Sequence, residues 1–162
     1  MESGEKWFSY PQKWFESGDF MFMGEYTHNI DAKGRAIVPA KLREELGSKF
    51  IITKEIDNCL SLYTLDDWNI LVEKLNKLPT TNRKALAFKR FKLASAYECE
   101  PDGNGRIMIP QSLREYAGIT KEIVTTGNGD KVEIWDKAKY DAYYSQYNFN
   151  DGSFDSLSEF GI

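Results

Sequence analysis

The chain has 162 residues, of which 41% are hydrophobic and 28% charged, and its formal net charge is −4. This composition is typical of a chain that folds around a packed core. No apolar run approaches the ~18 residues that span a bilayer, so we expect no membrane protein. Two isolated cysteines, Cys59 and Cys99, favour a cytoplasmic location over a disulfide framework.

The first twenty residues contain no apolar stretch of the kind found in secretory signals, and they repeat themselves. Lys-Trp-Phe occurs at 6–8 and at 13–15, and Glu-Ser-Gly occurs at 2–4 and at 16–18. One interpretation is a partner-binding or loosely ordered segment whose aromatic residues recur on one helical face. In either case we do not assign this segment to the core.

The body of the chain is duplicated. Residues 31–47 (DAKGRAIVPAKLREELG) and 102–118 (DGNGRIMIPQSLREYAG) are identical at eight of seventeen positions. The residue pattern of each copy predicts a strand that alternates apolar and polar residues, followed by a tight turn, a return strand and a short helix. A proline, Pro39 or Pro110, suits the first turn of that helix, and Gly47 or Gly118 suits its end.

Further elements follow in each copy at matching distances. We expect strands near 50–53 and 60–64 in the first copy, and near 122–126 and 131–135 in the second. Gly127 to Gly129 is interpreted as a hairpin loop. Helices are expected at 66–77 and 136–147, with Asp66 and Asp136 as N-caps. A basic helix at 80–93 joins the copies.

Four short strands bury too little surface to be stable alone, so the two copies are expected to interlock around one core. The predicted fold class is mixed α/β, a pseudo-twofold, double-split β-barrel with helices, built within one chain. The expected division is an extra segment at 1–20, a first unit at 21–78, a linker helix at 79–93, a second unit at 94–148 and a flexible acidic tail at 149–162.

The repeated element D-x-x-G-R-x-x-[VI]-P resembles the swapped-hairpin DNA-binding unit of AbrB and SpoVT proteins. The whole of 21–148, with two such motifs, resembles the MraZ family. That resemblance implies a bacterial transcriptional regulator of the division and cell-wall gene cluster, located at the nucleoid. It also implies rings of subunits that bind tandem TGG-containing direct repeats of double-stranded DNA upstream of the gene and repress that gene. No cofactor is expected.

The turn residues are the candidate DNA-binding residues. Arg35, with Lys33 beside it, can reach phosphates or a guanine edge, and Asp31 can hold the guanidinium in place. A purely structural salt bridge is the alternative for this pair, and both roles are compatible. The second copy offers the equivalent residues at its own turn, and a glycine completes each turn: Arg106, Asn104 and Asp102, with Gly34 and Gly105.

The flanking cations differ between the copies. Lys41 and Arg43 follow the first turn, whereas Ser112 and Arg114 follow the second. Lys41, Arg43 and Arg114 are included among the candidate DNA-binding residues, although structural pairing with Glu44 and Glu115 is favoured for the two arginines. Since the first copy is richer in cations, we expect it to supply more of the phosphate contacts.

The family resemblance suggests a second interpretation of residues 1–20. Tryptophan has only the codon TGG, so Lys-Trp written AAG-TGG contains AGTGG. Ser-Gly written AGT-GGN contains the same five bases, and the copies would be spaced by about one or two turns of DNA. We therefore expect the segment to be translated operator, with the natural start at Met21 or Met23. A ribosome-binding site before Met1, and none before Met21, would contradict this.

Other classes of function have little support in the sequence. The single histidine, His28, lies in an alternating strand and is expected to be packed or hydrogen-bonded, so no metal site, catalytic constellation or small-molecule substrate is predicted. The remaining alternative is an AbrB-type protein-interaction module, antitoxin-like or a structural ring. Such a module would use the 149–162 tail, for which a frayed terminus is the simpler expectation.

Overall fold

The computed structural model describes residues 21–162, and the expectations for residues 1–20 lie outside that range. Fourteen elements follow one another there, eight of them strands. The strands are β1 (Glu25–Asn29), β2 (Arg35–Ile37), β3 (Phe50–Glu55), β4 (Cys59–Thr64), β5 (Tyr97–Cys99), β6 (Arg106–Met108), β7 (Glu122–Gly127) and β8 (Val132–Asp136). The α-helices are α1 (Ala40–Leu46), α2 (Leu65–Asn76), α3 (Arg83–Ala94), α4 (Gln111–Ala117) and α5 (Lys137–Ser145). A 3₁₀ helix at Asp155–Phe160 completes the chain.

The strands form two antiparallel sheets whose order reads the same from either copy. The larger sheet runs β1-β7-β8-β4-β3-β5, and the smaller is the pair β2-β6. Exchanging the copies converts β1 to β5, β7 to β3 and β8 to β4, so the order is preserved. The first strand of each copy pairs with the other copy: Glu25 lies opposite Thr126 and Phe50 opposite Cys99.

This exchange confirms the mixed α/β class and the interlocking of the two copies. It differs from the expected barrel, because β1 and β5 are the two edges of the larger sheet and do not pair with each other. The small β2-β6 sheet instead covers one face of the larger one. Between them lies a single apolar core to which both copies contribute, including Phe50, Leu62, Leu113 and Ile134.

Helix boundaries agree with the sequence to within a few residues, with two exceptions in the caps. Asp136 caps α5 as expected, accepting the Lys139 N–H at 3.2 Å. Asp66 is not the cap of α2. Thr64 is, accepting the Asp67 N–H at 3.0 Å, since it keeps an extended backbone at the end of β4. Pro39 and Pro110 also stand one position before the first helical residues of α1 and α4 rather than inside their first turns.

The carboxyl-terminal segment, expected to be a mobile tail, contains the 3₁₀ helix and an aromatic stack. The rings of Phe149 and Phe154 lie 4.7 Å apart and nearly parallel. Both also contact Tyr147, just beyond α5. The apolar residues of the tail therefore continue the aromatic surface of α5.

Among residues 21–162, no helix is long and apolar enough to cross a membrane. Both cysteines are free and buried, and burial raises the pKa of the Cys99 thiol to about 12. His28 is packed in β1 opposite Ile123. Its Nε2 is shielded from solvent and has no hydrogen-bond partner in the described part of the chain.

Candidate nucleic-acid interface

Each copy presents the same tight turn between its first two strands. In the first copy the Gly34 N–H donates to the Asp31 carbonyl at 3.0 Å, and the Asp31 N–H donates to the Arg35 carbonyl at 2.9 Å. Asp102, Gly105 and Arg106 make the same two bonds in the second copy. Gly34 and Gly105 have φ of 83° and 74°, a backbone conformation that glycine adopts without steric cost.

The aspartate side chain organises the first turn. Oδ1 of Asp31 accepts the N–H groups of Lys33 at 2.9 Å and Arg35 at 2.8 Å. Its Oδ2 accepts Nε–H of Arg35 at 2.8 Å. The Arg35 backbone N–H, with these other donors, lowers the pKa of Asp31, so the carboxylate stays charged at neutral pH.

The second turn repeats this arrangement. Asp102 accepts the backbone N–H groups of Asn104 at 2.9 Å and Arg106 at 3.0 Å, and Nε–H of Arg106 at 3.0 Å. The pKa of Asp102 is lowered first by the Arg106 backbone N–H. Both arginines are thus held by the aspartate of their own turn through Nε. About three-tenths of each arginine side chain is exposed, so neither is sealed inside the fold.

The two arginines are brought together by β2 and β6. In this two-stranded ribbon Arg35 lies opposite Met108, and Arg106 lies opposite Ile37. The alternate positions, Ala36 and Ile107, point into the core and are each 2% exposed. Nη1 of Arg106 is 3.9 Å from Oδ2 of Asp31, so the first carboxylate contacts the arginines of both copies.

Two further side chains on the outer face were missed by the sequence reasoning. Ile37 is 43% exposed and Met108 52% exposed, and each lies in the predicted return strand of its copy. The signal that could have found them is the alternation itself, since each is two residues after its arginine and so shares its face. The outer face of the ribbon therefore combines two guanidinium groups with two apolar side chains.

Arg43 and Arg114 have a different position. Nη1 of Arg43 donates to the Val38 carbonyl at 2.9 Å, and Nε of Arg114 donates to the Ile109 carbonyl at 3.0 Å. These bonds replace the pairing with Glu44 and Glu115 that the sequence favours. Because Val38 and Ile109 immediately follow the two ribbon strands, each arginine braces the end of one strand.

Each of these braces also lies over the opposite turn. A Cβ placed on Gly105 would overlap Nη1 of Arg43, and one on Gly34 would be 2.7 Å from Cζ of Arg114. The backbone conformation therefore requires the glycines, and a Cβ at either position would in addition displace the end of an arginine side chain from the other copy.

The remaining candidates lie at the rim of the ribbon. Lys33 and Asn104 are exposed at equivalent positions of the two turns, and Lys41 is exposed at the start of α1. The first copy thus adds two ammonium groups beside the ribbon where the second has Asn104 and Ser112. Residues 21–162 hold no group of three or more histidine, cysteine or acidic side chains suited to a metal ion.

Each copy thus forms a strand-turn-strand unit, and the two arginines, each held by an aspartate, lie on the outer face of one ribbon. The family model described as "MraZ protein, putative antitoxin-like" matches residues 21–91 and 93–157. The chain belongs to the MraZ family.

Relatives share about half of their residues with this chain. A protein of Caldanaerobacter subterraneus subsp. tengcongensis is 51% identical over 86% of this chain and 95% of its own. One of Acetivibrio thermocellus is 52% identical over 80% of this chain and 91% of its own. One of Clostridium beijerinckii is 53% identical over 86% and 95%. All three are named transcriptional regulator MraZ, a name for a class of protein without catalytic activity.

Proposed function

We propose that this chain is a DNA-binding transcriptional regulator that reads double-stranded DNA with the outer face of the β2-β6 ribbon. The observation that carries the proposal is the pair Arg35 and Arg106, each held by an aspartate through Nε and directed outward from one ribbon. A two-stranded ribbon fits the major groove of B-DNA, where an arginine can make a bidentate contact to guanine O6 and N7.

The composition of the ribbon supports base reading as well as phosphate binding. Ile37 and Met108 offer apolar contact of the kind that recognises a thymine methyl group. Lys33 and Lys41 lie beside the ribbon and suit the phosphate backbone. Fixing each guanidinium in advance reduces the conformational entropy lost on binding, since a free arginine side chain must be ordered at that moment.

Weak binding by one chain calls for several chains on repeated sites. The body of the protein is close to neutral, and one ribbon covers only a few base pairs. Assembly into a ring on tandem TGG-containing direct repeats would multiply these contacts through effective concentration. We propose repression of the chain's own gene cluster from such repeats, in the cytoplasm at the nucleoid. An operator close to the start codon would also account for the repeats in residues 1–20.

The test is fluorescence anisotropy with a labelled duplex from the region upstream of the gene and a scrambled duplex of equal length. Arg35→Ala and Arg106→Ala are each expected to weaken binding to the upstream duplex about tenfold, since a bidentate guanine contact contributes roughly 1–3 kcal/mol. Arg83→Ala on α3 is the matched control and should change affinity less than twofold. Normal binding by the Arg35→Ala/Arg106→Ala double variant would refute base reading by the ribbon.

The same duplexes separate the protein-interaction alternative. A regulator should bind with a steep salt dependence and lose affinity when the spacing of the repeats is changed by half a helical turn. A module that acts only on other proteins should show neither property, and should instead require residues 149–162 for its partner.

A further inference from the structure

The larger sheet holds one buried lysine on the face away from the ribbon. Lys92, on α3, is 2% exposed. Its Nζ lies 2.7 Å from Oε2 of Glu55, 3.4 Å from Oγ of Ser61 and 3.4 Å from the Tyr63 hydroxyl. Thr53 completes the site by donating to the Lys92 carbonyl at 2.6 Å.

The pseudo-twofold relation assigns a counterpart to each of these four residues. Ser61 and Glu133 lie opposite each other at the centre of the sheet, so exchanging the copies exchanges them. Ser61 pairs with Thr53 just as Glu133 pairs with Thr126. Counting two residues further from each of these positions, Tyr63 corresponds to Trp135 and Glu55 to Asn128. Even the ring packed on the aromatic residue is matched. Trp68 lies 5.7 Å from Tyr63, and Tyr140 lies 5.9 Å from Trp135.

All four counterparts line one groove of about 580 Å³: Thr126, Asn128, Glu133 and Trp135. This volume is in the range of small-molecule sites. In the first copy the equivalent space is filled by α3 and its lysine. In the second copy, the segment that follows α5, residues 146–162, contains no lysine or arginine that could do the same.

The groove retains a carboxylate and an aromatic ring, the two kinds of group that surround the ammonium group of Lys92 in the first copy. The carboxylate has moved from the end of one strand of the hairpin to the other strand, since Glu133 stands in place of Ser61 while Asn128 stands in place of Glu55. Glu25 and Asp57 add negative charge to the walls, and three tyrosines of α5 add aromatic surface. Lys131 also lines the groove, but its Nζ is bonded to Oε2 of Glu55 at 3.0 Å.

Glu133 interacts with Trp135, Asn128 and the ammonium group of Lys131, but its burial outweighs these three favourable contacts. Its Oε1 accepts the Trp135 Nε1–H at a long 3.4 Å, and burial raises the pKa of its carboxyl group. A half-buried carboxylate beside an indole ring is a favourable place for a cation, which gains from both the charge and the π face.

We propose that this groove binds an ammonium group on an aliphatic stem, with Glu133 and Asn128 taking the positive charge and Trp135 packing against the stem. The ligand would occupy the second copy as Lys92 occupies the first. Two sources of such a group are a free aliphatic amine and a lysine side chain of a second copy of this chain.

The experiment titrates the full chain with 1,5-diaminopentane at constant ionic strength, using calorimetry. We expect saturable binding at one site per chain, and no binding of the uncharged 1,5-pentanediol. Glu133→Gln should weaken diamine binding about tenfold or more, because it removes the charge and keeps the shape. Glu73→Gln, an exposed carboxylate on α2, is the matched control and should bind like the unaltered chain.

The indole N–H resonance of Trp135 provides a second readout at the site itself. It should shift on addition of the diamine and stay fixed with the diol. Sedimentation then separates the sources. If the diamine dissociates assemblies of the unaltered chain, the natural occupant is a lysine of a second copy, and if the assemblies persist it is a free amine. Absence of saturable binding, or equal binding by Glu133→Gln, would refute the proposal.

Discussion

The two copies of the repeat agree closely at the ribbon and differ on the opposite side of the sheet. At the ribbon, both aspartates accept the same three donors, and the Asp–Arg side-chain distances are 2.8 and 3.0 Å. On the far face, the first copy buries Lys92 against Glu55, whereas the second leaves a groove. Duplication within one chain thus lets one surface stay symmetric while the other diverges, which two identical chains could not do.

The largest expected effect concerns the far face. Glu55 is 6% exposed and contacts the ammonium groups of Lys92 and Lys131 at 2.7 and 3.0 Å. Glu55→Gln leaves two cations without their carboxylate and should lower the free energy of unfolding by about 3–5 kcal/mol in urea titrations. Glu98→Gln, which removes an exposed pair with Lys49, should cost less than about 1 kcal/mol. Equal losses of unfolding free energy in the two variants would show that the buried pair stabilises the fold no more than an exposed pair does.

The same residue gives a pH dependence with a definite sign. Burial alone would raise the pKa of Glu55, but its two lysine partners lower it from 4.5 to about 2. A lowered folded-state pKa stabilises the protein above the unfolded value, and this contribution is lost as pH falls through the folded value. The stability difference between the unaltered chain and Glu55→Gln should therefore shrink between pH 4.5 and 2.

A smaller effect is expected at the crossing of the two turns. Gly105→Ala places a Cβ against Arg43 at a positive φ, and should cost about 2 kcal/mol from backbone strain and the displaced bond to Val38. In an Arg43→Ala background the cost should fall, because only the backbone strain remains. Urea unfolding of the four variants in this cycle measures the coupling directly. Additive costs would mean that the arginine moves aside freely.

The ribbon itself has one built-in asymmetry, which the aspartates can test. Asp31 contacts both arginines, whereas Asp102 contacts only its own. Asp31→Asn should therefore lower the ratio of upstream to scrambled DNA affinity more than Asp102→Asn does, by about tenfold against a few-fold. Both variants should bind scrambled DNA more tightly, since a negative charge facing phosphate is lost. Anisotropy with the two duplexes gives the affinity ratio of each variant. Equal ratios for Asp31→Asn and Asp102→Asn would show that the second contact of Asp31 has no effect on specificity.

The smallest effect is expected from the rim cations. Lys33→Gln should reduce the slope of log affinity against log salt by about 0.9, the contribution of one phosphate contact. Asn104→Lys, at the equivalent position of the second turn, should raise the slope by a similar amount. Unchanged slopes in both variants would mean that neither turn approaches the phosphate backbone.

The sequence predicted the parts of this fold that depend on local chemistry. The repeat located both turns, their glycines and the Asp–Arg pairs, because these contacts join residues four positions apart. It did not predict the Lys92–Glu55 pair, because the two residues are 37 positions apart and Lys92 lies in a helix that the sequence identifies only as basic. It also placed the cap of α2 at Asp66, although Thr64, already extended at the end of its strand, accepts the bond first. The exposure of Ile37 and Met108 could have been predicted from the alternation in β2 and β6, since each shares the face of an arginine two positions before it.

The exchange of first strands between copies has a consequence for synthesis on the ribosome. Residues Glu25 to Asn29 find their hydrogen-bonding partners only in Glu122 to Thr126. During translation the amino-terminal half must therefore wait, with an unpaired edge, until nearly the whole polypeptide has emerged. Such distant pairing slows folding and favours an all-or-none transition. A nascent chain that stalls in the second copy would expose an unpaired strand edge on which a neighbouring chain could pair. Both copies together, rather than either half, are therefore the smallest unit that resists aggregation.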